Sequence, residues 1–367
     1  MTTRDIRRVG ILTGGGDCPG INAVIRAVAK TAMLERGWEC IGVEDGFLGL
    51  IEDHVRPLTR WDVSNILTRG GTILGTSNKA NPQRYADGRD EQGNVIWRDV
   101  RDRAMATYQK HALDALVVIG GDGTMSCAAT MIPMGMRCIG VPKTIDNDLM
   151  HTHVTFGFQT AVETATEALD KLHTTAASHH RIMVVELMGR NAGWLTLHAG
   201  IASGSDVILI PEIPYDLDKI LEYCRERMKS RKSFTIIAVS EGARPADGEQ
   251  FVQRTVADSP DPVRLGGVAW ILRETLEMCS GIETRAVVLG HVQRGGTPCA
   301  GDRVLATKLG YTAAELLANG EFNRVVVVQH GEISSVGIEE VAGKQRLVAP
   351  DDGLVTAARA LGTCFGN

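Results

Sequence analysis

The chain has 367 residues, of which 44% are hydrophobic and 23% charged, an ordinary globular composition with enough apolar residues for a large core in two domains or lobes. Its net charge of −5 argues against a nucleic-acid-binding protein, and no apolar run reaches the roughly 18 residues that span a membrane. The eight cysteines form no CxxC pair and the charged N-terminus lacks the apolar core of a secretory leader, so we expect a cytoplasmic protein with reduced thiols.

Short runs rich in Val and Ile recur along the chain and are mostly free of polar residues, as in strands buried on both faces. They predict strands at residues 9–13, 116–119, 138–141, 182–187, 207–210, 234–239, 286–289 and 325–328. Residues 158–172 instead have apolar side chains at helical spacing. This alternation predicts an α/β fold of mainly parallel sheets flanked by helices. Residues 245–248 and 258–267, rich in Pro, Gly and Asp, are predicted loops.

A glycine-rich turn follows the first predicted strand. Residues 14–20 (GGGDCPG) precede a predicted helix at residues 22–32. Glycines let a backbone approach a phosphate, and a helix N-terminus adds partial positive charge. The pattern is neither a P-loop nor a dinucleotide fingerprint, and a tight turn without a ligand is the alternative.

A second glycine-rich turn, residues 120–124 (GGDGT), follows the strand at residues 116–119. Its small residues suit the phosphates of a nucleotide, and Asp122 is a candidate Mg²⁺ contact. Alternatively, Asp122 caps the next helix. The two turns together favour phosphate binding.

Two carboxylates and a hydroxyl follow the strand at residues 138–141, in the heptapeptide PKTIDND at residues 142–148. Ligands of open α/β sheets bind at the ends of such strands. Asp146 and Asp148 can therefore hold a metal, accept a proton, or do one of each. We expect a phosphate site that faces an acidic catalytic site.

Four arginines, Arg181, Arg190, Arg285 and Arg294, each flank a strand or a glycine-rich turn. Because guanidinium groups bind phosphate through a planar fork, we expect several of them to converge on a cleft that holds a phosphorylated substrate. Glu241 follows the strand at residues 234–239 and can accept hydrogen bonds from sugar hydroxyls. The histidine pairs at residues 151 and 153 and at 179 and 180 lack partners at metal-ligand spacing.

Five motifs in this order (GGGDCPG, GGDGT, PKTIDND, ELMGRNAG and LGHVQRGGTP) resemble the phosphofructokinase family, from Val9 to about Val328. The resemblance implies a two-lobed α/β glycolytic enzyme with its active site in the cleft. The donor lobe would comprise residues 1–157 and about 293–345, and the sugar-phosphate lobe residues 158–292 and 346–367. The implied reaction transfers a phosphoryl group to the 1-hydroxyl of fructose 6-phosphate.

The resemblance also implies roles for single residues. Asp146 would be the general base, Asp148 would assist through metal or hydrogen-bond contacts, and Thr144 would touch the transferred phosphoryl group. Arg190 would offset the charge that develops on that group. The donor contacts would be Gly16, Gly121, Asp122, Gly123 and Thr124, with Asp122 near Mg²⁺. The sugar phosphate would contact Met188, Gly189, Glu241, His291 and Arg294. Arg181 and Arg285 correspond to residues that reach in from a neighbouring subunit, which implies a homo-oligomer, a tetramer or a dimer.

Two positions bear on the phosphoryl donor. Gly123 leaves room for the α-phosphate and nucleoside of ATP, whereas the pyrophosphate-dependent relatives carry Asp there. Lys143, whose ammonium can meet the transferring phosphate, is typical of those relatives, while the common bacterial ATP enzymes have Gly. The combination resembles a mixed subgroup. The steric room at Gly123 favours ATP, with pyrophosphate as the alternative.

One of the departures from the family pattern concerns the donor site. An Arg that contacts the donor phosphates is usual near Asn78, and Lys79 or Lys143 would have to replace it without the bidentate fork. A catalytically silent regulatory subunit is a second alternative, but it predicts loss of the acidic pair or the arginines, which are all present. A dinucleotide-dependent oxidoreductase is a third, and the chain lacks its fingerprint.

Overall fold

The computed structural model describes residues 6–229 and 233–367, so the first five residues of the charged N-terminal segment lie outside it. Its strands are β1 (Arg8–Thr13), β2 (Glu39–Val43), β3 (Val55–Leu58), β4 (Tyr85–Arg89), β5 (Val95–Arg98), β6 (Ala115–Gly120), β7 (Cys138–Thr144), β8 (Phe156–Gly157), β9 (Ile182–Leu187), β10 (Val207–Leu209), β11 (Thr235–Ser240), β12 (Val252–Thr255), β13 (Val263–Leu265), β14 (Thr284–Val288), β15 (Arg324–Gln329) and β16 (Glu332–Gly337).

The helices connect these strands along the chain. They are α1 (Ile21–Glu35), α2 (Phe47–Glu52), α3 (Arg101–Lys110), α4 (Asp122–Met131), α5 (Phe158–His179), α6 (Trp194–Ala202), α7 (Leu217–Lys229), α8 (Val268–Ser280), α9 (Ala300–Ala318), α10 (Ile338–Val341) and α11 (Gly353–Ala360). None of the described helices is both long and apolar enough to cross a membrane.

The larger sheet has the order β16-β15-β7-β6-β1-β2-β3, with β8 paired to β7. Its central strands run parallel, and β3 and β16 at the edges are antiparallel to their neighbours. Side chains alternate between two buried faces, so that Ile11 and Val117 pack towards α1 and α9 while Leu12 and Val118 pack towards α3 and α4. Helices therefore cover both faces, as the apolar strands require.

The smaller sheet has the order β10-β11-β9-β14 and is parallel throughout. Side chains of β9 and β11 pack towards α5 and α6 on one face and towards α7 and α8 on the other. The predicted α/β class, with two lobes of mainly parallel sheet between helices, is confirmed.

The structure corrects three local predictions. Strand β7 continues through Thr144, so the first part of the heptapeptide lies on the strand and not in a loop. The predicted strand at residues 286–289 is not buried on both faces, because β14 forms an edge and Val288 is exposed. The predicted loop at residues 258–267 contains β13, which pairs with β12 in an exposed hairpin. Because an exposed hairpin has no run of apolar residues, hydrophobic periodicity does not predict its strands.

Candidate active site

Three predicted loops lie side by side at one edge of the larger sheet. Strands β7, β6 and β1 are neighbours and parallel, so their carboxyl ends meet there. The amide of Gly14, after β1, donates to the carbonyl of Ile119 in β6 at 2.9 Å. A Cβ on Gly121 would lie 3.5 Å from the carbonyl oxygen of Lys143 in β7. The two glycine-rich turns and the carboxylate loop thus form one surface, as the sequence predicts.

Two cations lie against the first glycine-rich turn. The ammonium of Lys143, whose residue is only 4% exposed, donates to the carbonyl of Gly16. Burial lowers the pKa of Lys143, and the nearby charge of Arg294 lowers it further. The Arg294 guanidinium donates to the carbonyl of Asp17 at 3.1 Å, and a Cβ on Gly16 would approach its Nη1 to 2.6 Å. The turn is therefore lined with positive charge, as a phosphate site requires.

The second glycine-rich turn begins α4. Gly121 is the N-cap of α4 and Asp122 and Gly123 are its first residues. A Cβ added to Gly123 would meet no atom within 4 Å in the part of the chain that the structure describes, so the space in front of it is open. Burial raises the pKa of Asp122, while the charge of Arg190 lowers it and that of Asp261 raises it. The helix N-terminus and the open space suit a polyphosphate.

The carboxylate pair is nearly buried, since Asp146 is 6% and Asp148 9% exposed. The backbone amide of Asp146 donates to Oγ1 of Thr144 at 3.0 Å. Oδ1 of Asp146 is buried and has no hydrogen-bond partner among the described residues, whereas Oδ2 of Asp148 accepts a bond of 3.0 Å from Gln345. Burial, together with the charges of Asp146 and Asp122, raises the pKa of Asp148 to about 7. An unpaired buried carboxylate oxygen is a ready proton acceptor.

The turn after β9 and the residue after β11 form the opposite side of the site. The amide of Arg190 donates to Oε1 of Glu241 at 3.1 Å, and Arg190 itself adopts a left-handed backbone with φ of 50°. Burial and the charge of Asp146 raise the pKa of Glu241 to about 7. Asp146 therefore lies close enough to Glu241 to act on it electrostatically. Met188 and Gly189 precede Arg190 in this turn, and His291 is exposed in a short 3₁₀ helix, Gly290–Arg294.

The turn of the β12–β13 hairpin contributes two aspartates that the sequence did not assign to the site. Asp261 forms an ion pair with the Arg190 guanidinium. Asp258 accepts from the Lys79 ammonium at 2.8 Å. Arg190 and Lys79 are both candidate phosphate contacts from the sequence. A bound phosphoryl group must therefore compete with Asp261 and Asp258 for these two cations. In the sequence, the only indication that Asp258 and Asp261 could contact the site is that they are acidic residues in a predicted loop rich in Pro.

Of the four arginines, the structure brings Arg190 and Arg294 to this surface and places Arg181 and Arg285 elsewhere. Arg181 precedes β9 and Arg285 lies near the start of β14, and both pair with Glu283. The cleft residues Arg190 and Arg294 follow the carboxyl ends of these strands. Since six residues of strand extend about 20 Å, Arg181 and Arg190 lie beyond opposite ends of β9.

The chain is similar to known proteins over the residues that contain these motifs. The sequence profile of the family described as Phosphofructokinase matches residues 8–317. The chain is 52% identical to ATP-dependent 6-phosphofructokinase 2 of Clostridium perfringens, over 99% of each chain. It is also 46% identical to the pyrophosphate–fructose 6-phosphate 1-phosphotransferase of Amycolatopsis methanolica, over 94% of this chain and 97% of that one. The solved phosphofructokinase of Pichia pastoris superposes with a TM-score of 0.77 at 31% identity, over 92% of this chain and 35% of that longer one.

Proposed function

The chain belongs to the phosphofructokinase family, and from that premise we propose that it transfers a phosphoryl group from ATP to the 1-hydroxyl of fructose 6-phosphate, giving fructose 1,6-bisphosphate in glycolysis. One observation carries the proposal. The buried carboxylate of Asp146, with an unpaired oxygen, lies beside two glycine-rich phosphate turns and faces the Arg190–Glu241 turn of the smaller sheet. This arrangement supports the assignment of Asp146 as a base between a donor site and an acceptor site.

ATP is the donor that the site favours. Gly123 opens onto free space at the start of α4, which leaves room for the α-phosphate and nucleoside. Relatives named as ATP-dependent match almost the full chain, among them those of Clostridium perfringens and Spirochaeta thermophila. Pyrophosphate is the alternative, because Lys143 lies at the phosphate turn and the Amycolatopsis relative is named for that donor.

Different residues of the chain perform different parts of the proposed reaction. Asp146 accepts the proton of the 1-hydroxyl as the hydroxyl oxygen bonds to the γ-phosphorus of ATP and the bond from that phosphorus to ADP breaks. The hydroxyl of Thr144 contacts the transferring group. Arg190 and Lys143 offset the negative charge that spreads over that group in the transition state. Gly16, Gly121, Gly123 and Thr124 contact the donor phosphates. Asp148 supports the arrangement through hydrogen bonds or through the donor's cation.

The residues present fit a magnesium ion carried by the donor. Besides burial, the carboxylates of Asp146 and Asp122 are close enough to raise the pKa of Asp148, so added positive charge is favoured there. Among residues 6–229 and 233–367, no group of three or more His, Cys, Asp or Glu side chains can hold a metal by itself. That suits Mg²⁺, which binds through one or two carboxylates together with phosphate oxygens and water. Asp122 would hold the ion, which when bound neutralises charge on the polyphosphate.

The sugar phosphate is assigned to the turns after β9, β11 and β14. We propose Met188, Gly189, Glu241, His291 and Arg294 as its contacts. Arg181 and Arg285 lie at the amino-terminal ends of β9 and β14, away from this site, and would complete the site of a neighbouring copy. We therefore propose a homo-oligomer, a tetramer or a dimer. The exposed apolar residues Trp270, Val288 and Val292, on or near the β14 edge, support an interface there.

The lobe boundaries and the location are proposals of the same kind. Strands β1–β3, β6–β8, β15 and β16, within residues 8–157 and 324–337, form the larger sheet, and β9–β11 and β14, within residues 182–288, form the smaller, while β4–β5 and β12–β13 are separate two-stranded sheets. Cys364 pairs with Val207, which supports assignment of residues 346–367 to the sugar-phosphate lobe. The eight cysteines are free thiols, which favours the cytoplasm.

The affinity for fructose 6-phosphate should depend on pH through Glu241. Because the pKa of Glu241 is raised to about 7, its carboxylate is ionised above that pH and protonated below it. Protonation removes the charge that accepts sugar hydroxyls, so KM for the sugar phosphate should rise by up to about tenfold between pH 8 and pH 6. Initial rates across this range measure the effect. Glu241→Gln is the matched control, since it should leave only the dependence due to the substrate phosphate itself, whose second pKa is about 6. An unchanged profile in that variant would contradict the assignment.

The reaction itself is tested by incubating the purified protein with fructose 6-phosphate and Mg-ATP and following products by phosphorus NMR. The proposal expects fructose 1,6-bisphosphate and ADP in equal amounts. A folded protein that binds both ligands without turnover would support the silent regulatory subunit instead.

A further inference from the structure

A short segment near the C-terminus, residues 345–348, crosses the loop that carries the two catalytic-site carboxylates; we call it the strap. Gln345 pairs with Leu149 as an antiparallel bridge. The amide of Arg346 donates to the carbonyl of Asp148 at 2.7 Å, and that of Val348 donates to Oε1 of Glu212 at 2.9 Å. The strap is thus bonded to the carboxylate loop on one side and to the smaller lobe on the other.

Arg346 makes the tightest connection between those two sides. Its guanidinium donates to the carbonyl of Asn147 at 2.8 Å and stacks 4.2 Å from the ring centre of Trp194. The indole Nε1 of Trp194 donates back to the carbonyl of Arg346 at 2.8 Å. Trp194 is 7% exposed and begins α6, four residues after Arg190. The contacts of Arg346 therefore fix the carboxylate loop relative to the Arg190 turn.

The loop needs such support. Asn147, between the two carboxylates, has φ of 51°, a left-handed conformation that costs energy for a residue other than glycine. Its side chain accepts from the amide of Thr155 at 3.0 Å, which fixes one side of the loop. On the other side the Gln345 amide donates to Oδ2 of Asp148 at 3.0 Å, and its own oxygen lies 3.5 Å from Nδ2 of Asn191. Gln345 thus links the second carboxylate to the residue after Arg190.

We propose that Gln345 and Arg346 are positioning residues for phosphoryl transfer, which hold the Asp146–Asp148 loop at the correct distance from the turn that bears Arg190. The inference rests on the proposed function. Neither residue is assigned a substrate contact, so both act through the groups that they orient. Their loss should therefore slow the chemical step and leave ground-state binding of both substrates nearly unchanged.

The test compares Arg346→Ala, Arg346→Lys and Gln345→Met with the wild type, using fructose 6-phosphate and Mg-ATP. Since misplacement by about 1 Å costs about 100-fold, Arg346→Ala should lower kcat by about 10- to 100-fold with each KM within about threefold. Arg346→Lys keeps the charge but not the planar stack, so it should recover part of the loss. Gln345→Met, close in shape but without a donor, should lower kcat by about three- to tenfold.

Lys344→Met is the matched control, because Lys344 precedes the strap and its ammonium bonds only to the carbonyl of Glu339 among the described contacts. It should behave as the wild type. Thermal unfolding and binding of ADP establish that the variants are folded, and Gln345→Met decides the question if Arg346→Ala does not fold. A kcat within about twofold of the wild type in Gln345→Met and Arg346→Lys, or a loss that appears only in KM, would overturn the inference. An inactive wild type would instead overturn the proposed function.

Discussion

Asp146→Asn is expected to lower kcat by about 10²- to 10⁴-fold, because the amide cannot accept the proton of the 1-hydroxyl. The replacement keeps the size of a side chain that is 6% exposed, and it removes the negative charge of a carboxylate whose Oδ1 is free of hydrogen bonds to residues 6–229 and 233–367. Steady-state rates with saturating fructose 6-phosphate and Mg-ATP measure the loss.

The binding of both ligands should survive this replacement. Equilibrium titration of the variant with fructose 6-phosphate and with ADP should give affinities within about threefold of the wild type. Asp170→Asn, an exposed aspartate on α5, is the matched control and should retain full activity. A near-normal velocity of Asp146→Asn would show that another group accepts the proton.

Gly123→Asp should impair the use of ATP by about 10²- to 10³-fold in kcat/KM. The residue lies in the first turn of α4, where a side chain would project into open space that we assign to the α-phosphate. Two like charges about 4 Å apart repel by about 4 kcal/mol at the dielectric typical of such sites, which corresponds to about a thousandfold. The rates with ATP and with pyrophosphate, measured on the same preparation, give the ratio.

Gly123→Asn separates charge from bulk. It adds nearly the same volume without the negative charge, so a purely electrostatic effect spares most ATP activity while a steric one removes it. Gly123→Asp should affect pyrophosphate much less than ATP, because pyrophosphate has no α-phosphate or nucleoside at that position. Equal losses with both donors would place the donor elsewhere.

The sequence predicts those parts of the site that follow directly after buried parallel strands. Buried parallel strands have unbroken apolar runs, so the ends of β1, β6 and β7 could be located and their loops placed together. Chain direction also agrees with the implied assignment of Arg181 to the site of a neighbouring subunit. Arg181 precedes its strand, whereas Arg190 follows the same strand, so the two could not meet at one edge.

Other parts of the site depend on contacts between distant segments, which a local pattern cannot contain. Asp261 pairs with Arg190 across 71 positions. Gln345 meets Asp148 across 197 positions. Neither the exposed hairpin nor the strap has an apolar period or a motif. The hairpin is exposed, and the strap buries Val348 but contacts the carboxylate loop through specific polar bonds. Such contacts become visible only when the two sheets are placed together.

The most direct measurement of the central claim is the specificity constant of the purified protein for each donor, with fructose 6-phosphate as the acceptor and magnesium in excess. The open space at Gly123 predicts that kcat/KM for ATP exceeds that for pyrophosphate, with fructose 1,6-bisphosphate as the product. A preference for pyrophosphate would contradict the donor assignment, and no product with either donor would contradict the proposed reaction as a whole.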